Sequence, residues 1–289
     1  MYTGELTGDG QVDLVMDSSD EISEEYVVLV ADGTMDGATA IAAPAARIAF
    51  GVLGKTSIWA RAASDLDGDG QDDLLTRTTG WEGPAALHFF PGPLSGTFEI
   101  DDAAVEISNN SGDSAFGFKS EASQDYDGDG YLDLLVVDPW DDSVYRGRVY
   151  LVPGPLTDSG LVKELAVATV ESELSGSQFG WDMVGDQDMD GDGELDLMVG
   201  AYDENASGDG NGAIHMFYGP MVGARSTDDA DARMTHSACI RTDRSDCHTG
   251  QTMKGMGDVN ADGYDDVSVF IGWNTDDAPM NHIVFGAPR

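Results

Sequence analysis

The chain of 289 residues carries 54 Asp and Glu against 14 Lys and Arg, a formal charge of −40, and its 41% hydrophobic content is enough for a folded core. Such acidity repels nucleic acid and anionic membrane surfaces, which excludes both as partners. No run of about 18 apolar residues exists, so membrane insertion through a helical span is excluded as well.

The N-terminal Met1-Tyr2-Thr3-Gly4-Glu5 lacks the basic and apolar regions of a signal peptide, so a leader has been removed or the sequence is an excised segment. A first Asp-rich stretch follows, Glu5-Leu6-Thr7-Gly8-Asp9-Gly10-Gln11-Val12-Asp13. It returns as Asp65-Leu66-Asp67-Gly68-Asp69-Gly70-Gln71-Asp72-Asp73 and as Asp125-Tyr126-Asp127-Gly128-Asp129-Gly130-Tyr131-Leu132-Asp133. The last two copies are Asp188-Met189-Asp190-Gly191-Asp192-Gly193-Glu194-Leu195-Asp196 and Asp258-Val259-Asn260-Ala261-Asp262-Gly263-Tyr264-Asp265-Asp266. Oxygen-bearing side chains at positions 1, 3, 5 and 9 converge on one point if the segment wraps tightly. The Gly at position 6 permits the turn, and the carbonyl of position 7 adds an oxygen. Hard anionic oxygens gathered in this way describe a Ca²⁺ site, because without a cation the carboxylates repel one another. The stretch resembles the first half of an EF-hand loop but lacks the Glu at position 12 and the following helix. A single copy also reads as an Asp-Gly turn; five in phase favour the cation. Four to five Ca²⁺ ions are expected, the first copy being degenerate at two positions and the weakest.

The last Asp of each copy stands at 13, 73, 133, 196 and 266, spacings of 60, 60, 63 and 70. Repetition at this period indicates a solenoid, a propeller or an array. Each copy leads into an apolar run: Leu14 to Met16, Leu74-Leu75, Leu134 to Val137, Leu197 to Val199 and Val267 to Phe270. Runs apolar on both faces suit strands sandwiched between sheets. A second strand follows at Tyr26–Val30, Ala86–Phe90, Arg148–Val152, Ala213–Tyr218 and His282–Phe285, then a Gly at 33, 92, 154, 219 and 286. Pro-Gly-Pro at 91–93 and 153–155 marks a turn there. A third, alternating segment at 103–108 and 166–170, and less clearly at 38–42 and 232–235, reads as an outer strand. Phe-Gly at 50–51, 116–117 and 179–180 then introduces a short strand leading into the next loop. Four strands per unit and no convincing helix predict an all-β chain, a β-propeller of about five four-stranded blades. The expected repeats are 1–48, 49–108, 109–172, 173–236 and 237–289, within a single domain.

Phe-Gly, the Asp-rich loop and then Val-Gly-Ala together resemble the FG-GAP repeat of integrin α-subunit propellers and their bacterial relatives. The fourth unit shows it best, with Phe179-Gly180, the loop, and Val199-Gly200-Ala201-Tyr202. The resemblance implies a propeller with one Ca²⁺ in each well-formed loop and a role in adhesion. It departs where Thr249-Gly250 replaces Phe-Gly and where Gly-Ala-Pro is nowhere intact. Propellers of that type have seven blades, so the chain reads either as part of a larger ring or as a closed five-bladed one.

Trp81, Trp140, Tyr202 and Trp273 follow the last loop Asp by 8, 7, 6 and 7 residues, so they emerge at the far end of the loop strand. Beside Asp141, Asp142, Asp203 and Glu204 they form a candidate ligand face, or else they pack between blades. Trp59 and Trp181 precede their loops and read as core. His88, His215 and His282 share a phase on different second strands and read as strand residues rather than metal ligands. Cys239 and Cys247 read as a local disulfide in an oxidising compartment, with free thiols the alternative. No nucleophile elbow, Ser-x-x-Lys or His-Glu-x-x-His motif is present, so no catalytic residue is assigned. The sequence predicts an extracellular, cell-surface or periplasmic Ca²⁺-binding interaction module whose ligand is a protein or a glycan. The rivals are a carbohydrate-binding, lectin-like propeller and a polysaccharide-active enzyme.

Overall fold

The computed structural model describes residues 2–20, 25–33, 44–52, 56–62, 64–80, 85–109, 115–141, 144–205, 212–235, 248–271 and 280–289. Their regular structure is almost wholly β-strand, and the fold is propeller-like, with an Asp-rich loop at one hairpin of each sheet. Trp81, Trp273, Cys239 and Cys247, and the alternating segment at 38–42, lie outside the described residues. The chain divides into two compact units, one of Met1–Leu134 with Pro153–Leu165 and one of Leu135–Val152 with Ala166–Arg289.

In the first unit, β1 (Tyr2–Gly4), β2 (Asp13–Asp20), β3 (Glu25–Ala31) and β4 (Ala46–Val52) form one antiparallel meander. A second contains β5 (Thr56–Ala62), β6 (Leu74–Gly80), β7 (Ala86–Phe90) and, beyond a further short strand β8 (Gly96–Glu99), β9 (Val105–Ser108). β10 (Ser120–Gln124) precedes the third loop. The sheets pack face to face around Leu6, Val15, Val28, Ile48, Leu74 and Phe90, all at most 1% exposed. Burying a side chain of this size stabilises by about 1.5–3 kcal/mol, so these few positions hold the two sheets together.

The second unit takes in most of β11 (Asp133–Asp138), then β12 (Arg148–Val152). The chain returns to the first unit for β13 (Gly160–Leu161) and a four-residue helix, α1 (Val162–Leu165). Back in the second unit, β14 (Ala168–Glu171) pairs antiparallel with β12. β15 (Phe179–Gln187), β16 (Asp196–Ala201), β17 (Ala213–Phe217) and, after β18 (Gly223–Ser226), β19 (Ala232–Met234) form the next sheet. β20 (Thr252–Gly257), β21 (Asp266–Ile271) and β22 (Met280–Val284) form the last. These two sheets close on Met189, Met198, Ile214, Met253 and Val267.

Two features depart from the sequence reading. β8, β13 and β18 do not belong to the sheet of their own repeat. Each crosses back and adds a parallel strand to the outer edge of the preceding sheet: β8 on β4, β13 on β9 and β18 on β14. The edges of these three sheets are thereby covered by backbone hydrogen bonds, and each of the three holds five strands rather than four, while the last two hold four and three among the described residues. In addition, the outer strand of the first repeat is β4, and Phe50 pairs with Tyr26 inside it. The boundary expected between residues 48 and 49 therefore falls within a strand.

The Phe-Gly position has a clear physical cause in the second unit. Phe179 lies against Gly147, the residue before β12, so closely that a Cβ on Gly147 would overlap the Phe179 carbonyl. Thr249 stands in the same relation to Gly212, the residue before β17, with which it makes a parallel bridge. Thr249-Gly250 thus takes over the packing role of Phe-Gly, because what the contact needs is backbone approach and not a phenyl ring. Gly200 meets the Gly250 carbonyl so tightly that neither has room for a side chain. Gly200→Ala is therefore expected to destabilise the protein by about 1–3 kcal/mol as an overpacking defect, read as a lowered denaturation midpoint with an unchanged slope.

Candidate metal loops and aromatic face

Each loop is organised by its last carboxylate. Asp13, Asp73, Asp133, Asp196 and Asp266 are at most 2% exposed. One oxygen of each accepts the N–H of loop position 2: Leu6 at 2.7 Å, Leu66 at 2.7 Å, Tyr126 at 2.7 Å, Met189 at 2.8 Å and Val259 at 3.0 Å. The other accepts the N–H of the Gly that ends the second strand: Gly33 at 3.0 Å, Gly92 at 2.9 Å, Gly154 at 2.8 Å, Gly219 at 2.9 Å and Gly286 at 3.0 Å. That Gly recurs because a Cβ on Gly92 would overlap the carbonyl of Asp72, and the other four meet the matching carbonyl of their own loop. The side chain at position 9 therefore ties the loop to the turn leaving the sheet, with no ion required for either bond.

The remaining acidic groups shape the loop. At position 1, Asp65, Asp125 and Asp188 each accept the N–H groups of positions 4 and 6, within 2.7–3.0 Å. Position 5 accepts the N–H of position 7 in all five loops, including Asp9 from Gln11 and Asp262 from Tyr264. Side-chain-to-backbone bonds of this kind prefold a turn. They bring oxygens of Asp65, Asp67 and Asp73 within 4.8 Å of one another, and likewise those of Asp125, Asp127, Asp133 and of Asp188, Asp190, Asp196. The first and fifth loops offer Thr7 and Asn260 at position 3, a neutral oxygen in place of the third carboxylate. Thr7 Oγ1 donates to Asp13 at 3.3 Å, and Asn260 donates from its amide to Asp262 at 2.8 Å.

Three carboxylate oxygens at such distances repel, and burial adds to the cost of charging them. Burial first, then the charge of Asp67, pushes the Asp73 carboxyl up to about 6 against the pull of its backbone N–H donors. Asp196 is pushed up to about 6 by burial and by Asp190 and Asp188, and Asp133 rises for the same reasons. An oxygen-only donor set, prefolded and short of positive charge, fits a hard divalent cation such as Ca²⁺. In the fourth loop the Arg289 guanidinium already meets Asp190, contacts Asp192 at 3.0 Å and lies 4.4 Å over the Tyr218 ring.

Of the four predicted face residues, Trp140 and Tyr202 are described, and both are half-buried in the second unit. Trp140 Nε1 donates to Gln178 Oε1 at 3.1 Å, and Gln178 Nε2 donates to Asp203 at 2.7 Å. Tyr202 packs on Trp181 at 4.3 Å between ring centres and on His248 at 5.1 Å, while Tyr145, 52% exposed, stands edge-on to Trp140 at 6.1 Å. Trp181 is thus part of this face rather than core. Gln178 was missed, and His248, which the sequence places only as a flank of the cysteines, was not read as part of this face. Each precedes its Phe-Gly or Thr-Gly pair and holds a positive φ, 50° and 46°, a phase visible only in the backbone. Trp59 is also corrected: it is 39% exposed, and the buried Arg77 lies 5.1 Å from its ring.

Behind the face, Glu204 is buried with one oxygen 2.6 Å from His215 Nε2 and the other 2.6–2.8 Å from two Arg233 nitrogens. Burial pushes its carboxyl up, but His215 and Arg233 more than offset this and hold it below the usual range. Glu204 was read as an acidic flank of the ligand face, and the structure makes it a strut beneath it. His88 bonds Thr78 Oγ1 at 2.8 Å, and burial pushes its imidazole down to about 4. The phase-matched histidines thus serve separate sheets and form no joint site.

Residues 179–217 match the FG-GAP repeat family. Among curated relatives, integrin alpha-PS2 of Drosophila melanogaster is 29% identical over 171 residues, 52% of this chain. Integrin alpha-4 of Xenopus laevis is 31% identical over 50% of the chain, and integrin alpha pat-2 of Caenorhabditis elegans 34% over 30%. The matches span 12%, 13% and 7% of those relatives' own lengths. The chain is thus similar to integrin α chains over about half of its length, and one stretch matches the FG-GAP repeat that its sequence suggested.

Two outcomes follow from this geometry. Asp133→Ala leaves the N–H groups of Tyr126, Asp127 and Gly154 without their acceptor, and is expected to cost about 2–4 kcal/mol even in chelator, as read by denaturant unfolding. For Glu204, a carboxyl held low in the folded state contributes stability above its ordinary range and loses it as pH falls below that range. Glu204→Ala should cost about 3 kcal/mol at neutral pH, the price of a broken buried pair, and the difference from the unaltered protein should shrink in acid melts.

Proposed function

We propose that the chain is a Ca²⁺-dependent β-propeller module at the exterior of a cell, binding a protein ligand rather than catalysing a reaction. The five repeats are its consecutive blades. The observation that carries the cation is the convergence of positions 1, 3 and 9 in three loops. When bound, the ion would supply positive charge where three carboxylates crowd. Positions 1, 3, 5 and 9 of the five loops, with the position-7 carbonyls of Gln11, Gln71, Tyr131, Glu194 and Tyr264, would hold it. The chain's own part is to keep the loop closed: position 9 fixes the exit turn, and the exit turn fixes the next segment of the blade. Affinities of about 10⁻⁴–10⁻³ M suit an extracellular module of this kind.

The similarity to integrin α chains supports a protein ligand and an extracellular or cell-surface setting. Among the described residues, no helix is long and apolar enough to cross a membrane. The face around Trp140, Tyr145, Trp181 and Tyr202, with Asp203 at its rim, offers ring surfaces beside a carboxylate. That combination suits a basic side chain of a peptide, through cation–π and ion-pair contacts.

Native mass spectrometry should count four or five Ca²⁺, and the melting temperature should rise steeply with Ca²⁺ over chelator. Asp127→Ala or Asp190→Ala should lower that temperature in Ca²⁺ and change little in chelator; equal losses in both conditions would remove the cation from that loop. On peptide arrays in Ca²⁺, Lys- and Arg-containing peptides should be retained and Tyr202→Ala should lose them with its melt unchanged. Binding indifferent to that substitution would move the ligand site elsewhere.

A further inference from the structure

The loops are in contact with one another, through side chains that donate nothing to a cation. In the second unit the Tyr264 ring, at position 7 of the fifth loop, covers Gly191, at position 4 of the fourth. Its Cε1 lies 2.7 Å from where a Gly191 Cβ would stand. Asp265, at position 8, accepts the Asp188 N–H at 3.0 Å and donates its own N–H to the Asp188 carbonyl at 3.0 Å. The first unit repeats both devices. Tyr131 covers Gly68, with Cε1 2.6 Å from the Cβ position, and Asp72 accepts the Glu5 N–H at 2.9 Å.

A backbone relay completes the connection. The residue two after the exit-turn Gly of one blade donates to the position-2 carbonyl of the preceding loop: Leu94 to Leu6 at 2.6 Å and Leu156 to Leu66 at 2.8 Å. Ala287, directly after Gly286, does the same to Met189 at 2.8 Å. The N–H of that position-2 residue is held by its own loop's last carboxylate, and the exit turn by the last carboxylate of the next loop. From Asp266 the path therefore runs through Gly286, Ala287 and Met189 to Asp196, two buried carboxylates joined by three hydrogen bonds and one peptide link.

We propose that neighbouring loops bind their cations as coupled pairs, the fourth with the fifth and the second with the third, with Tyr264, Asp265 and Tyr131 as the positioning residues. This rests on the Ca²⁺ reading above. Closing the fifth loop fixes Tyr264 and Asp265 against Asp188 and Gly191, so the fourth loop is already ordered when its cation arrives. Linkage makes the effect reciprocal. Gln71 occupies position 7 in the second loop and only approaches Gly8, 3.7 Å from its Cβ position, where Pro93 is nearer at 3.0 Å, so there Asp72 makes the side-chain hydrogen bond and no aromatic ring covers the glycine.

The test is a Ca²⁺ titration of the full chain followed by the amide resonance of Gly193, whose N–H bonds Asp188 in the fourth loop at 3.0 Å. Asp258→Asn, which weakens only the fifth loop's own ligands, should raise the fourth loop's dissociation constant by about 5-fold or more. In a Tyr264→Ala, Asp265→Ala background the same change should move the Gly193 titration far less, since only the backbone bonds of residue 265 and Ala287 remain. An unchanged Gly193 titration in Asp258→Asn would overturn the coupling while leaving cation binding intact. Undiminished coupling in the background variant would overturn the assignment to these residues. A Gly193 signal indifferent to Ca²⁺ would sink the cation reading and the proposal with it. Asp125→Asn, read at Gly70 with and without Tyr131→Ala, repeats the experiment in the first unit, should a variant of the second fail to fold.

Discussion

The structure depends on a buried carboxylate that accepts backbone hydrogen bonds from two directions. Position 9 of every loop is an Asp with no access to water, and water's place is taken by N–H groups from the loop in front and the turn behind. A buried charge is tolerated only when it is well partnered, and two or three N–H donors are a partial answer. The raised proton affinity of Asp73, Asp133 and Asp196 marks how far short they fall. The rest of the loop follows from that deficit. In three loops the carboxylates of positions 1 and 3 approach that of position 9, where a divalent cation would offset their mutual repulsion.

The loops were legible in the sequence because their chemistry is carried by side-chain identity at fixed spacing. The same holds for the strands between them, whose apolar runs report burial on both faces. The recurrent Gly at 33, 92, 154, 219 and 286 was visible as a period, but its cause is a carbonyl that only three-dimensional contact reveals. The parallel straps were not legible at all. β8 reads Gly-Thr-Phe-Glu and β18 Gly-Ala-Arg-Ser, mostly exposed, with no alternation to announce a strand. Their parallel pairing is made by the backbone, and backbone pairing leaves no mark on composition. Trp59 misled for a related reason. A large aromatic near a loop suggests core, yet Arg77 takes the buried place beneath it, bonded to the Phe116 carbonyl at 2.5 Å, and the ring lies over the guanidinium at the surface.

Charge is arranged on two scales. The overall excess of acid is solvated and keeps the chain soluble, but it also means that each basic residue is conspicuous. Arg233 and Arg148 pair with acids on their own sheets, the first completing the Glu204–His215 strut and the second bridging Asp141 and Glu171. Arg289 is different, because it lies on two carboxylates of the fourth loop, where the geometry otherwise invites a metal ion. A guanidinium there offsets part of the repulsion among the fourth loop's carboxylates.

Variation among the loops is concentrated where no ligand is required of a side chain. Position 7 holds Gln, Gln, Tyr, Glu and Tyr, and position 8 holds Val, Asp, Leu, Leu and Asp. Were each loop an independent cation trap, these differences would have nothing to act on, since position 7 contributes its carbonyl whatever its side chain. The contacts of Tyr131, Tyr264, Asp72 and Asp265 give them an object: the backbone of the loop before. A bulky ring at position 7 needs the neighbour's position 4 to lack a side chain, and Gly68 and Gly191 provide that while also holding a left-handed φ of 81° and 78°. Ala261 holds the same position in the fifth loop at φ 62°, but Gly8 and Gly128 keep glycine there with no covering aromatic ring, so the left-handed turn favours glycine and the tyrosine ring over Gly68 and Gly191 adds a second reason. The repeat is therefore better described as a loop together with the part of the next loop that rests on it, and the period of the sequence is the period of that contact.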